Sequence, residues 1–155
     1  MLQRIQSVYL LLAGVAVLAL FLFPLAHTVY VNNIPINIMV TGTYIDAGGQ
    51  QVIKDHFVAL AAVTAVVGIL PFIIIFLYKN RKQQIALSYS TILVIIGYSF
   101  WVAQTAKEVT GGITLDPKNF GIGLFLCPLA ILLLIMAIKS IQRDEKLVKS
   151  ADRLR

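Results

Sequence analysis

Between Phe57 and Ala103 the chain is two long apolar runs interrupted only by Lys79-Asn80-Arg81-Lys82-Gln83-Gln84. Few folds accommodate that pattern. Runs of this length match membrane-spanning helices, which need about 20 apolar residues each. A tight cationic turn between two spans is retained on the cytoplasmic side during insertion. With that turn inside, the remaining topology follows by alternation. Composition agrees: 59% of the 155 residues are hydrophobic and 13% are charged, against about 25% charged in soluble domains.

The apolar runs predict four spans, at about 8–26, 57–78, 85–103 and 120–138. The first could be read as a signal peptide's apolar core. Its length and Pro24 just before Leu25-Ala26 favour an uncleaved helix. The external loops would be 27–56 and 104–119, with a cytoplasmic tail at 139–155. Of the 13 Lys and Arg residues, only Lys54, Lys107 and Lys118 then fall outside, as the positive-inside rule requires. The expected fold is all-α: a four-helix transmembrane bundle forming a single domain over 1–155, with a small external β-hairpin between helices 1 and 2. The segment from His27 to Asp55 supplies that hairpin. Ile36, Ile38, Val40, Gly42 and Tyr44 alternate as one face of a strand. Asp46-Ala47-Gly48-Gly49 signals the turn, and Gln50–Ile53 the returning strand. Thr28–Val31 could add a third.

Local signals refine the helices. Asp55 and Asn119 are candidate caps for the second and fourth spans. Pro71 and Pro128 predict kinks. Gly111-Gly112 and Asp116-Pro117 mark turns in the second external loop. Tyr98 and Trp101 suit an aromatic belt at the outer end of the third span. Small residues recur at helical spacing as Ala61, Ala65 and Gly68 on the second span and Gly123, Cys127 and Ala130 on the fourth. Such strips let helices approach closely in lipid, and both are expected to face the bundle interior. Ala86, Ser90 and Gly97 make a similar face on the third span.

The opening Met1-Leu2-Gln3-Arg4-Ile5-Gln6-Ser7-Val8-Tyr9-Leu10 and the closing Asp144-Glu145-Lys146-Leu147-Val148-Lys149-Ser150-Ala151-Asp152-Arg153-Leu154-Arg155 resemble the two ends of a family of short four-helix membrane proteins from Bacteroidota. That family is classed as a domain of unknown function. The resemblance implies an inner-membrane location and carries over no activity, cofactor or catalytic residue.

Chemistry is sparse. No Asp, Glu, Lys, Arg or His falls inside the four spans as drawn, whereas proton-coupled transporters and pumps usually need such a group. Thr64, Ser88, Ser90, Thr91 and Ser99 are expected to bond within or between helices. His27 and His56 sit at the outer ends of consecutive spans, and a metal site would need further ligands. Cys127 stands alone, so no disulfide or zinc cluster can form within the chain. No nucleophile–base set, phosphate loop or nucleic-acid motif occurs. The chain is therefore read as non-enzymatic, with no cofactor and no nucleic-acid partner.

The tail is the best candidate for a working surface. As a helix it separates a basic face (Lys146, Lys149, Arg153) from an apolar strip (Leu147, Val148, Ala151, Leu154), with Asp144, Glu145 and Asp152 beyond. Either a protein partner docks there, or the helix lies on anionic lipid. The bilayer is the expected partner, with a protein partner through the tail or the external hairpin. The leading functional reading is an accessory or scaffolding subunit. A component of a small transporter or channel is the alternative, and a membrane enzyme built on the hairpin is the weakest reading.

Overall fold

The computed structural model describes residues 3–31, 34–47, 50–111 and 117–152. Helix α1 (Gln3–Leu18) is followed by strands β1 (Ala26–Val31), β2 (Ile34–Met39), β3 (Gly42–Ala47) and β4 (Gln50–His56). Helices α2 (Val58–Phe76), α3 (Arg81–Thr110) and α4 (Gly123–Asp152) complete the chain. Single 3₁₀ turns lie at Ala19–Phe21 and Pro117–Asn119.

The helices extend past the apolar runs that announce them. α1 begins at Gln3, well before Val8, because Gln3 to Ser7 contain no helix breaker. It tightens into the 3₁₀ turn before Pro24, which disfavours helical backbone at the preceding residue. α3 runs two turns beyond Ala103 and stops at Gly111, whose φ of 61° is the left-handed conformation common after a helix C-terminus. Gly112–Asp116, part of the expected loop, lie outside the described residues. α4 continues unbroken through Ile138 to Asp152. The expected caps are not used. Asp55 belongs to β4, where its side chain accepts from Thr43 Oγ1 at 3.2 Å and its N–H donates to the same oxygen at 3.2 Å. Asn119 donates to the Thr28 carbonyl at 3.5 Å, and α4 starts only at Gly123.

The expected hairpin is a four-stranded antiparallel meander in the order β1-β2-β3-β4. The long strand read from Ile36 to Tyr44 is folded in half at Val40-Thr41, and Met39 pairs with Gly42 across the turn. Alternation cannot reveal such a break, because both halves keep period two. Gly42 permits it: a Cβ there would stand 2.1 Å from the Asp55 carbonyl oxygen on β4. Gly48 and Gly49 lie outside the described residues. β1 carries a bulge near Thr28, whose φ of 51° is uncommon for a β-branched residue. The Asn37 side chain steadies it by accepting from the Thr28 N–H at 3.0 Å.

Such a small sheet gains support from the helical body. Leu25 N–H bonds the Ile38 carbonyl at 2.8 Å, and Gly121 and Gly123 N–H groups bond the Leu25 and Pro24 carbonyls at 2.9 and 3.0 Å. Val29, Ile36, Ile38 and Val40 are buried and join the helices' core.

α1 packs against α2 and α4, and α3 packs against the same two helices. Leu10, Val17, Ile95, Leu134 and Ile141 are fully buried between them. α2, α3 and the Gly123–Val148 part of α4 are long and apolar enough to cross a membrane, while the apolar stretch of the first helix, Ile5–Phe21, is shorter. Such helices suggest a membrane protein. Two helix faces differ from expectation. Ala86, Ser90 and Gly97 point outward, and nothing lies within 4 Å of a Cβ added at Gly97. Tyr98 does not join a belt. It is buried, with its hydroxyl 2.6 Å from Thr64 Oγ1. A buried phenol needs such a partner. Thr64, Ser88, Thr91 and Ser99 also donate to carbonyls one turn back, at 2.7–2.8 Å.

Candidate functional site

The sheet occupies one end of the molecule, and the opposite end gathers the α2–α3 turn and the outer parts of α1 and α4. The turn is tightly made. Asn80 Nδ2 donates to Gln83 Oε1 at 3.1 Å, and Gln84 N–H donates to the Asn80 carbonyl at 3.0 Å. Gln84 is buried and its amide donates to the Ile74 carbonyl at 3.3 Å. That bond ties the start of α3 to the last turn of α2. Lys79 and Lys82 stay exposed, with Arg81 half-buried between them.

Two hollows open around this turn. One, of about 500 Å³, lies between the turn and α4 and is lined by Lys79–Gln83 with Glu145 and Val148. The other, of about 480 Å³, lies between the turn and α1 and is lined by Gln6, Ser7, Ile75, Phe76, Tyr78, Arg81 and Gln84. Arg81 belongs to both.

The segment read as a tail is in part the body of the protein. Ile141 is fully buried, and Gln142 Nε2 donates to the Tyr89 hydroxyl at 3.4 Å. Asp144, expected on the outer polar side, is buried at 7% exposure. The Gln6 amide donates to Asp144 Oδ2 and, at 3.4 Å, to the Ser140 carbonyl. Among the described residues Asp144 Oδ1 has no hydrogen-bond partner. The early start of α1 explains the difference, because Gln3–Ser7 supply a helical turn against which α4 can pack. The sequence held a signal for it: Leu134, Ala137, Ile141 and Asp144 follow the spacing of a single buried face.

Beyond Asp144 the helix is open. Lys146 is exposed, as are Leu147 (51%) and Val148 (47%). Lys149 and Ala151 lie on α4, with side chains outside the described residues. Arg153 and Leu154 lie outside them altogether.

The packing residues are distributed unevenly. Ala61 and Ala65 are half-buried at the margin of α2, whose interior face is Leu60, Thr64, Val67, Gly68, Pro71 and Ile74. Gly68 is buried against Leu18, and a Cβ there would meet Leu18 Cδ2 at 2.5 Å. Gly14 plays the reciprocal part against Phe72, a role that spacing alone did not single out. Gly123 is buried against backbone, not helix, with the Pro24 carbonyl oxygen 2.8 Å from an added Cβ. Cys127 and Ala130 are buried in the core. His27 and His56 are exposed, and among the described residues no three of His, Cys, Asp and Glu come together as a metal site.

The described site therefore combines cationic and amide groups, the carboxyl groups of Asp144 and Glu145, and exposed apolar side chains. These are the means of contact with a charged or amphiphilic surface. None of the curated proteins searched matches the chain. A family model described as "Domain of unknown function (DUF4293)" matches residues 2–154, and the chain belongs to that family.

Proposed function

We propose that the chain is a four-span protein of the bacterial inner membrane, with both termini and the Lys79–Gln84 turn in the cytoplasm. On this reading it acts by contact, as a non-enzymatic accessory or scaffolding subunit. The observation that carries the reading is the outer part of α4. The helix is held through Asp144 by its packing on α1, and one turn later it presents Leu147 and Val148 at about half exposure. An apolar pair on an ordered helix, beside a cationic hollow, suits a partner helix laid against it.

The alternative is a component of a small transporter or channel. It draws on Asp144, since a buried carboxylate with an unpartnered oxygen in a membrane protein is a functional candidate by default. Its place beside the start of α1, past the apolar run of α4 and away from the middle of the apolar spans, favours the first reading.

Photo-crosslinking from the exposed position 150, one turn beyond Leu147, in native membranes tests the contact role. A discrete protein adduct that disappears in the Leu147→Ser/Val148→Ser variant is expected. Adducts to lipid alone would reduce this part of α4 to a membrane anchor.

A further inference from the structure

The hollow between α1 and the α2–α3 turn has a mixed lining. One wall is apolar: Ile75 and Phe76 close the apolar stretch of α2, and Phe76 is 78% exposed. The floor is polar. Gln6 and Gln84 are buried, at 6% and 3% exposure, on two different helices. The rim carries Tyr78 and Arg81, and Lys79 and Lys82 flank Arg81 in the turn. Among the described residues Arg81 is the only permanently charged side chain in the lining, and the Asp144 carboxylate lies behind the floor, bonded to Gln6.

Both amides of the floor are bonded within the protein, Gln6 to Asp144 and Gln84 to Ile74, so the ligand is defined by the cation on the rim and the apolar wall. A site for a small free anion would not set an exposed Phe76 beside its cation. The guanidinium fork matches two oxygens of a phosphate. Among the described residues only Arg81 of the turn's three cations lines this hollow; Lys79 and Lys82 line the neighbouring one with Glu145, and the excess of cations over carboxylates around the turn favours a ligand with net negative charge. The apolar and polar walls also meet where α2 passes from its apolar stretch to the turn, which is headgroup depth if α2 spans the membrane.

We propose that this hollow binds one anionic glycerophospholipid, with its phosphate on the Arg81 guanidinium and an acyl chain along Ile75 and Phe76. The proposal rests on the membrane placement given above and is independent of any protein partner on α4. Bound there, the lipid would join α1 to the turn, the place where the hollow leaves them apart.

Native mass spectrometry of the full chain in mild detergent tests it, with phosphatidylglycerol or phosphatidylcholine of matched acyl chains added to delipidated protein. One phosphatidylglycerol per chain should survive activation that strips phosphatidylcholine. Arg81→Gln should lower its retention about fivefold, the scale of one interfacial cation, while Lys139→Gln, an exposed cation outside the hollow, should leave it unchanged. Phe76→Ser should weaken retention of both lipids. Equal retention of the two lipids by the wild-type chain would overturn the site, and that comparison stands even if Arg81→Gln does not fold. Equal losses from Arg81→Gln and Lys139→Gln would also overturn it, as unspecific charge. Displacement of the lipid by inorganic phosphate would assign the cations to a free anion instead. A chain that stays dispersed without detergent would refute the membrane placement itself, an outcome distinct from all of these.

Discussion

At the scale of single residues, close approach is concentrated at glycines, and the atoms facing them differ in kind. A Cβ added at Gly68 would meet Leu18 Cδ2 at 2.5 Å and Cγ at 2.8 Å, side-chain atoms that a change of the Leu18 rotamer can move. A Cβ at Gly121 would stand 2.0 Å from the Pro24 carbonyl oxygen. That oxygen belongs to backbone fixed by the Gly123 N–H bond and cannot give. Gly68 also lies inside α2, where alanine gains about 1 kcal/mol over glycine. Gly68→Ala is therefore expected to stay near wild-type stability, the gain offsetting the crowding. Gly121→Ala has no such gain and should cost at least the 1–3 kcal/mol typical of overpacking. Thermal unfolding in mild detergent compares them, and a Gly121→Ala variant as stable as Gly68→Ala would refute the close packing of this segment. Gly68 was legible beforehand, because small residues at helical spacing are visible in one dimension. Gly121 was not, because the atom that excludes a side chain there lies on a distant part of the chain.

At the scale of elements, the apolar runs located the helices but not their ends. Gln, Lys, Arg and Glu continue a helix as readily as Leu does, so α3 and α4 outrun their apolar stretches. The extra length creates the junction between α1 and α4, and with it the buried Asp144. A buried acceptor without a partner costs about 1–3 kcal/mol, more if charged, and Asp144 Oδ1 is such an atom. Asn at this position keeps an acceptor for the Gln6 amide, removes the charge, and adds a donor within the helix end. Asp144→Asn is thus expected to raise thermal stability, by about 1 kcal/mol. Marked destabilisation would mean that the carboxylate has a partner in solution, and that Asp144 is held for a purpose other than packing. The sheet shows the opposite kind of shortfall. Its strand content is legible from alternation, yet Val40-Thr41 carry no turn signal and Gly42 falls in step with the alternating face, so the break between β2 and β3 is hidden.

For the whole molecule, the question is how many times the chain crosses the membrane, and the first helix decides it. Its apolar stretch is shorter than the others. By geometry the 16 residues of α1 rise about 24 Å and the 3₁₀ turn adds about 6 Å. That sum matches the roughly 30 Å of a hydrocarbon core only with Gln3–Ser7 counted; without them Val8–Phe21 rise about 22 Å, and the apolar Leu22–Ala26 must complete a crossing. The packing agrees, since Gln6 and Ser7 at the start of α1 share a hollow with Tyr78 and Arg81 at the far end of α2. If α1 crosses, Ile5 and Gln83 lie on one side and the sheet on the other. If α1 does not cross, Ile5 stays with the sheet and opposite Gln83. Single cysteines separate the two cases: Ile5→Cys, Val52→Cys and Gln83→Cys, each in a Cys127→Ala background and all at exposed positions. With a membrane-impermeant maleimide on intact cells, Val52→Cys should label at once. Ile5→Cys and Gln83→Cys should label only after permeabilisation, because Arg81, its flanking lysines and most other cations lie at their end of the molecule. Labelling of Ile5→Cys together with Val52→Cys would leave three spans and separate α1 from the turn. It would remove the proposed lipid hollow as well, since that hollow needs both in one place.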